Sequence, residues 1–234
     1  MVIFRPETAL DAVKLRKANL DSVYLAGGTD DLRLGGAIDK DTALIDINGL
    51  VDKGIEEKEN GIIKVGALAT LQEMIDSPLV PSAIKEACRF CSSFERRNSA
   101  TVGGNIGLRR DDSYLIALFS VLGVTFHSIT PHGEEDKSVK EYASTHCRRL
   151  ITYFLIDTKK KARVRRFGLT STSHAVLIAA SCDNNYALSV KGSPFVSGPT
   201  PDIWKDVHYT SDITGSKEYK EYLAKTVFSL GGNL

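Results

Sequence analysis

The sequence predicts a chain that mixes α-helices with β-strands, and three observations lead to this prediction. Apolar runs of strand length, such as 150–156, are bounded by turn residues. A longer apolar stretch, 112–122, has the length of a buried helix. Two further apolar runs, 175–181 and 186–190, lie on either side of Asp183-Asn184-Asn185, a turn sequence that favours an antiparallel hairpin.

The N-terminal helix has the clearest start signal. Thr8 can cap the helix, and Asp11 three residues later resembles the acidic half of a capping box. The apolar stripe that follows is interrupted at Lys17. We therefore expect this helix to end near residue 19.

The remaining elements are predicted from apolar runs between glycine, proline or polar residues. Segment 192–200 contains two prolines and two glycines and is expected to be a loop. A boundary between two units is expected near 157–162, where the run Lys159-Lys160-Lys161 interrupts the apolar pattern. Strands are predicted at 23–25, 43–47, 61–67, 124–127 and 150–156, and helices at 70–75, 81–90, 112–122 and 216–230.

The composition is typical of a globular protein and disfavours several classes of function. Lys and Arg number 30 against 29 Asp and Glu, a formal net charge of +1, so no nucleic-acid partner is indicated. No signal-peptide pattern is present, and no apolar run approaches the roughly 18–20 residues of a membrane span. The 4 cysteines and 5 histidines match neither a disulfide framework nor a metal-ligand pattern. We expect a cytoplasmic protein with no metal site and no membrane partner.

Two glycine-rich segments, each predicted to be a loop, carry the candidate chemistry. The first is Ala26-Gly27-Gly28-Thr29-Asp30, and the second is Thr101-Val102-Gly103-Gly104-Asn105. Adjacent glycines let backbone N–H groups turn towards one point, because no Cβ blocks the approach and positive φ is open to them. Two such segments facing each other could hold a diphosphate, the group that joins the halves of a dinucleotide cofactor. The alternative is that each segment is only a tight turn between strands.

Five segments occur in an order that resembles a known family. They are Phe4-Arg5-Pro6, the first glycine segment, Leu44–Asn48, Ile63–Ala67 and the run from Arg97 to Ile106. Together they resemble the FAD-binding (medium) subunit of the molybdenum hydroxylases, a family that includes the flavoprotein subunits of xanthine dehydrogenase and carbon monoxide dehydrogenase. Residues 212–220 resemble the motif that precedes the last helix of that family. The resemblance thus covers nearly the whole chain, and the second glycine segment is its most specific part.

The resemblance implies an α+β fold. Its first part would be a two-lobed FAD-binding module of the vanillyl-alcohol oxidase and p-cresol methylhydroxylase type, spanning residues 1–158. The N-terminal lobe would cover about 1–52 and the second lobe about 53–158. A small α+β C-terminal domain would follow at 162–234, shorter than is usual in the family. FAD would lie between the two lobes without a covalent bond.

The resemblance also assigns residues to the cofactor. The two glycine segments would hold the diphosphate, and Asp112 would reach a ribose or ribityl hydroxyl. Ala67 and Thr70 would lie near the flavin ring, and Arg166 stands where the family often has a basic residue near the flavin. The full set expected to contact FAD is Leu25, Ala26, Gly27, Gly28, Thr29, Asp30, Ala67, Thr70, Thr101, Gly103, Gly104, Asn105, Ile106, Asp112, Leu150, Ile151 and Arg166.

The segment after the second glycine pair departs from the family pattern and marks a divergent branch. Members commonly have small residues with Ser-Pro here, whereas this chain has Gly107-Leu108-Arg109-Arg110-Asp111-Asp112-Ser113. Two interpretations stay open for Arg109 and Arg110, which either contact FAD or a partner or form a solvated turn. The same departure leaves open whether Asp112 contacts the cofactor.

The resemblance implies a function in electron transfer. Substrate would be oxidised on a molybdopterin-binding large subunit, and electrons would pass through the [2Fe-2S] clusters of a small subunit to FAD on this chain. NAD⁺ or another acceptor would then receive them. No catalytic residue is expected here, because the redox chemistry belongs to the flavin, and the chain alone should be inactive on the physiological substrate. Two alternatives remain, an assembly scaffold that has lost FAD and a stand-alone flavin reductase with its own substrate cavity.

Overall fold

Three β-sheets with helices packed on and between them make up the computed structural model. It describes residues 2–30, 32, 42–144 and 149–229. The first sheet is small and parallel, with β1 (Ile3–Phe4), β3 (Leu44–Asp46) and β2 (Val23–Leu25) in that spatial order. Helix α1 (Ala9–Ala18) lies against it, with Ala12 and Val13 buried beside Ile45. The side chain of Thr8 accepts the backbone N–H of Asp11, as the capping signal predicts.

The second sheet is antiparallel and has five strands. Its spatial order is β4 (Ile55–Glu57), β5 (Ile62–Gly66), β8 (Leu150–Asp157), β6 (Thr125–Thr130) and β7 (Gly133–Ser138). Six helices belong to this part of the chain: α2 (Leu71–Asp76), α3 (Ser82–Arg89), α4 (Phe94–Ser99), α5 (Val102–Gly107), α6 (Ile116–Leu122) and α7 (Val139–Ala143).

The third sheet is antiparallel, with spatial order β12 (Val196–Gly198), β11 (Asn185–Val190), β10 (Ala175–Cys182) and β9 (Ala162–Gly168). A 3-10 turn (Pro201–Asp206) and helix α8 (Lys217–Ser229) follow it. Strand β10 is buried on both faces. Leu177 and Ala179 join a cluster with α8, whereas Ile178 and Ala180 join the cluster that contains α6. Burial on two faces explains why the apolar run of β10 shows no polar alternation.

Helix α6 lies at the centre of the described chain. All seven of its residues are buried, and it contacts both the second sheet, through Phe119 and Phe154, and strands β10 and β11 of the third. The ring centroids of Phe119 and Phe154 are 5.8 Å apart in an edge-to-face arrangement. Ser120 is the one polar residue of this helix, and a helix that is apolar on almost every face is stable only where it is enclosed on all sides. Among the described helices, none is long and apolar enough to cross a membrane.

Most predicted elements are present. The α+β class is confirmed, as are the N-terminal helix, the strands at 23–25, 61–67 and 150–156 and the hairpin, which turns through Asp183 and Asn184. The prediction of a loop at 192–200 was wrong in part, because β12 pairs with β11 there. The helix predicted over 112–122 begins only at Ile116. Strands β1, β4, β7 and β9 and helices α4 and α7 were not predicted.

The turn between β8 and β9 lies at 158–161, where a boundary was expected. The bounds of the predicted domains nevertheless stay a prediction. Helix α6 and the third sheet share one apolar cluster, which includes Phe119, Ile178 and Ala187.

Candidate functional site

A cavity of about 320 Å³ lies between the two glycine segments. Gly27 and Gly28 of the first segment line it, as do Gly103 and Gly104 of the second. The start of β8 contributes to the wall as well, because Leu150 and Ile151 line the cavity. The fold therefore brings together two segments that are more than 70 residues apart in the sequence.

The first glycine segment follows β2 and rests on the end of α4. A Cβ on Gly27 would lie 1.7 Å from the carbonyl oxygen of Ser99, so no larger residue fits without moving the backbone. Gly28 has a φ of +63°, a conformation that favours glycine. Within the described chain, the backbone N–H groups of Gly27, Gly28 and Thr29 make no hydrogen bond. These amides are therefore available to a ligand.

The second glycine segment is the start of helix α5, which corrects the prediction of a loop. Thr101 caps the helix by accepting the N–H of Gly104 at 3.0 Å. Gly103 donates to the carbonyl of Ala67 at 2.8 Å, and a Cβ there would lie 2.7 Å from that oxygen. Neither glycine has positive φ. These glycines permit close backbone packing, and their amides are already bonded within the protein.

Asn105 lines the cavity, and two hydrogen bonds hold its side chain in one orientation. Its Oδ1 accepts the hydroxyl of Ser113 at 2.7 Å and the backbone N–H of Leu115 at 3.1 Å. Both acceptor bonds fix the amide plane, so Nδ2 is the end of the side chain that remains to donate to a ligand. The second segment thus offers a side-chain donor, because the backbone amides of its two glycines are bonded within the protein.

Positive side chains outnumber negative ones around the cavity. The arginines that line it are Arg16, Arg96, Arg109, Arg110 and Arg149, whereas the acidic lining residues are Asp30 and Asp112. A charge balance of this kind in a partly enclosed space attracts anions.

Asp112 is the most buried ionised group of the site. Arg110 donates to both of its carboxylate oxygens, at 2.7 and 3.0 Å, and His174 Nδ1 lies 2.7 Å from Oδ2. Burial raises the pKa of Asp112, but the hydrogen bonds and charge of Arg110 outweigh this effect and leave the pKa below its usual value. The same contacts raise the pKa of Arg110. Both groups stay charged at neutral pH.

Aromatic and apolar residues complete the wall. Tyr24, Tyr114 and Tyr142 line the cavity, and burial raises the pKa of the Tyr24 hydroxyl to about 12. Burial also raises the pKa of the Cys91 thiol, so this lining cysteine stays protonated and is a poor nucleophile. In the described chain, no three His, Cys, Asp or Glu residues are grouped as metal ligands.

Most of the predicted site residues lie along this cavity. Those that line it are Ala26, Gly27, Gly28, Thr29, Asp30, Ala67, Thr101, Gly103, Gly104, Asn105, Asp112, Leu150 and Ile151. Four lie outside the lining: Leu25 in β2, Thr70 at the cap of α2, Ile106 in the core and Arg166, which donates to the carbonyls of Thr170 and Ser173.

Several lining residues were not predicted to contact a ligand. Arg96 belongs to α4, where its Nη2 donates to the carbonyl of Thr29 at 3.2 Å. Arg149 comes just before β8 and pairs with Glu135. His174 enters from the third sheet. Arg96 immediately precedes the run from Arg97 to Ile106 that resembles the family, so its place near the site could have been predicted from the sequence. No sequence pattern predicts that His174 lies there.

The residues fit FAD on chemical grounds. A diphosphate carries negative charge and only acceptor oxygens, which match the free amides of Gly27, Gly28 and Thr29 and the surrounding arginines. The flavin ring needs a flat apolar surface, and Leu68, Leu150 and Ile151 form a buried apolar part of the wall.

Comparison with known proteins agrees with this fit. A family profile described as "FAD binding domain in molybdopterin dehydrogenase" matches residues 1–156. The chain is 29% identical over 181 residues to the protein YgfM of Escherichia coli strain K12, covering 76% of this chain and 67% of YgfM. It is 34% identical over 107 residues to the xanthine dehydrogenase FAD-binding subunit of E. coli O157:H7, covering 44% of this chain and 37% of that subunit.

Two solved structures share the fold over almost the whole chain. A chain of quinoline 2-oxidoreductase from Pseudomonas putida 86 superposes with a TM-score of 0.80 at 17% identity, covering 97% of this chain and 93% of that one. A chain of the Cu,Mo-CO dehydrogenase superposes with a TM-score of 0.81 at 20% identity, covering 97% and 94%. The match to the family profile shows that the chain belongs to the family of FAD-binding domains of molybdopterin dehydrogenases, whose cofactor is FAD.

Proposed function

We propose that this chain is the FAD-carrying electron-transfer subunit of a multi-subunit molybdenum hydroxylase. A molybdopterin-binding large subunit would oxidise the substrate, and a small subunit with [2Fe-2S] clusters would deliver the electrons to this chain. NAD⁺ or another acceptor would receive them. The observation that carries the proposal is the cavity whose walls combine three free backbone amides with a surplus of arginines.

The residues of this chain bind and orient the cofactor. The amides of Gly27, Gly28 and Thr29 would donate to the diphosphate, and the oriented Nδ2 of Asn105 would add one more donor. Buried Leu150 and Ile151 would keep water from the flavin. When bound, FAD supplies the two-electron redox chemistry, and the protein sets its position and surroundings.

The names of similar proteins support the choice of partners. The xanthine dehydrogenase subunit is named for FAD binding within a larger enzyme, and the matching solved chains come from molybdenum or quinoline oxidoreductases. A subunit of this kind works with partners that hold the substrate and the other redox centres. Activity of the isolated chain should accordingly be limited to flavin reactions with artificial acceptors.

The test is a titration of the purified full chain with FAD, followed through visible absorption and flavin fluorescence. We expect a bound flavin spectrum and release of free FAD on heating. Gly104→Glu should abolish binding, because it places a carboxylate in the cavity and crowds Thr101 Oγ1, which lies 2.9 Å from the position of a Cβ. Gly54→Glu, at a glycine outside the cavity lining, should bind like the wild type.

The outcomes separate the alternatives. A chain that retains no flavin after incubation with excess FAD and removal of the unbound cofactor would contradict the proposal and favour an assembly scaffold. A chain that binds FAD and reduces a physiological acceptor with its own substrate at high rates would favour a stand-alone reductase. Binding of FAD, together with co-purification of molybdopterin and iron–sulfur subunits from the native source, would support the proposal.

A further inference from the structure

Arg110 occupies a position between the two glycine segments. Its Nη1 donates to both carboxylate oxygens of Asp30, at 2.7 and 2.8 Å, and its Nε and Nη2 donate to Asp112 at 2.7 and 3.0 Å. The two partners belong to different segments of the chain, and both line the cavity. Asp30 ends the first glycine segment, and Asp112 follows α5. One guanidinium therefore links the first glycine segment to the segment that follows α5.

All three guanidinium nitrogens are engaged by these contacts. Nη2 also lies 3.5 Å from His174 Nδ1, so little donor capacity remains for another group. Two carboxylates offset the single positive charge of Arg110. A group that is surrounded in this way is a poor phosphate ligand, although it lines a cavity suited to a diphosphate.

The Asp112 end of the link is anchored to the third sheet. His174 immediately precedes β10 and lies 2.7 Å from Asp112, and Lys191 immediately follows β11 and lies 3.8 Å from it. Lys191 also binds Asp111 at 2.6 Å. The side chain of Asp112 is 3% exposed, so water competes little with these contacts. The fixed end of the link is therefore the Asp112 end.

We propose that Arg110 is a positioning residue for FAD, which holds the first glycine segment at the distance from α5 that the diphosphate needs. It acts through Asp30, the residue next to the free amides of Gly27–Thr29. The inference rests on the proposed function and deepens it, because it assigns a role to Arg110, one of the two arginines in the segment that departs from the family pattern. Arg110 need not touch the cofactor.

The test is a double-mutant cycle on the full chain, with Arg110→Gln, Asp30→Asn and the double variant. The dissociation constant of FAD is measured by fluorescence titration, at low and at moderate salt. We expect each single variant to raise the dissociation constant about tenfold or more, the scale of a lost charge-assisted hydrogen bond. The double variant should bind no more weakly than either single variant, because both changes break the same link.

Direct contact between Arg110 and the phosphate makes opposite predictions. Asp30→Asn would then bind FAD as tightly as the wild type or more tightly, because a carboxylate is removed beside an anion. Arg110→Gln would also weaken the salt dependence of binding. Either result would overturn the inference.

Two further variants separate the positioning role of Arg110 from the effect of its positive charge. Arg110→Lys keeps the charge but cannot bridge two carboxylates as a guanidinium fork does, so we expect it to bind FAD nearly as weakly as Arg110→Gln. Full recovery by lysine would contradict the inference. Arg165→Gln removes an exposed arginine outside the cavity lining and should bind like the wild type.

Thermal unfolding without FAD shows that each variant is folded at the temperature of the titration. A variant that melts earlier yet binds FAD like the wild type would show a role in stability alone and would overturn the inference. Failure of the wild-type protein to bind FAD would contradict the proposed function as well as this inference. Wild-type binding with unaffected variants would remove only this inference.

Discussion

At several positions of this chain, the neighbouring atoms in the fold explain the residue type better than its conformational preference does. Gly27 adopts a backbone conformation that other residues can take, yet a Cβ there would strike the carbonyl of Ser99. Lys220 is fully buried in the described structure, and its ammonium group is bonded to Asp212 and to the carbonyl of Lys191 at 2.8 Å each. A buried ammonium is tolerated only with partners of this kind.

The Lys220–Asp212 pair predicts a dependence of stability on pH. Burial raises the pKa of Asp212, but hydrogen bonds from Lys220 and Thr214 outweigh it and lower the pKa to about 2. Because the folded pKa is depressed, the contribution of Asp212 is complete above its unfolded pKa of about 4 and disappears as the pH falls towards 2.

Lys220→Met should therefore lower the free energy of unfolding by about 2 kcal/mol at pH 7, because the carbonyl of Lys191 and the carboxylate of Asp212 lose their donor. Urea denaturation at pH 7 and near pH 2.5 measures the effect. The difference from the wild type should shrink at the lower pH. An equal difference at both values would show that lost packing, not the ion pair, causes it.

At the scale of elements, α5 shows why a glycine-rich motif was predicted as a loop. Glycine is a weak helix former, so sequence propensity alone argues against a helix over Val102–Gly107. The helix forms because Thr101 caps it and because its first turn packs on Ala67, where only glycine fits. Tertiary contact thus overrides propensity at the point where the cavity is built.

Two glycines of α5 provide a matched pair of alanine substitutions. Gly103→Ala should destabilise the protein by about 1–3 kcal/mol, because the new Cβ would lie 2.7 Å from the Ala67 carbonyl. Gly107→Ala should be neutral or stabilising by up to about 1 kcal/mol, since no atom beyond its chain neighbours and the backbone of its own helix lies within 4 Å of its Cβ position, and alanine lowers the entropy of the unfolded chain. Denaturant unfolding of the protein without FAD compares them. Similar losses in both variants would contradict the packing argument.

At the scale of the whole molecule, α6 joins the second and third sheets in one apolar cluster. We expect a single cooperative unfolding transition in calorimetry, with calorimetric and van't Hoff enthalpies that agree. Two resolved transitions would show that the third sheet unfolds by itself. The protein without FAD is the form to measure, because a bound ligand would shift any transition that includes its site.

The sequence predicted the local elements and the family well, and the assembly of the site less well. The cavity-lining residues of the glycine segments were predicted because each segment is a continuous motif in the sequence. His174 and Lys191 were not, because they reach Asp112 from the third sheet through contacts between residues about 60 to 80 positions apart. Short edge strands such as β4 and β7 carry many charges and lack the apolar run that indicates a strand.

The enclosure of α6 has a consequence for dividing this protein. A fragment cut after residue 156, where the family match ends, would keep the glycine segments but lose the sheet that covers one flank of α6, whose residues are all apolar except Ser120. That flank would become an exposed apolar patch, and we expect the fragment to self-associate through it. The part of the chain that contains both glycine segments thus depends on the residues after 156 to cover α6.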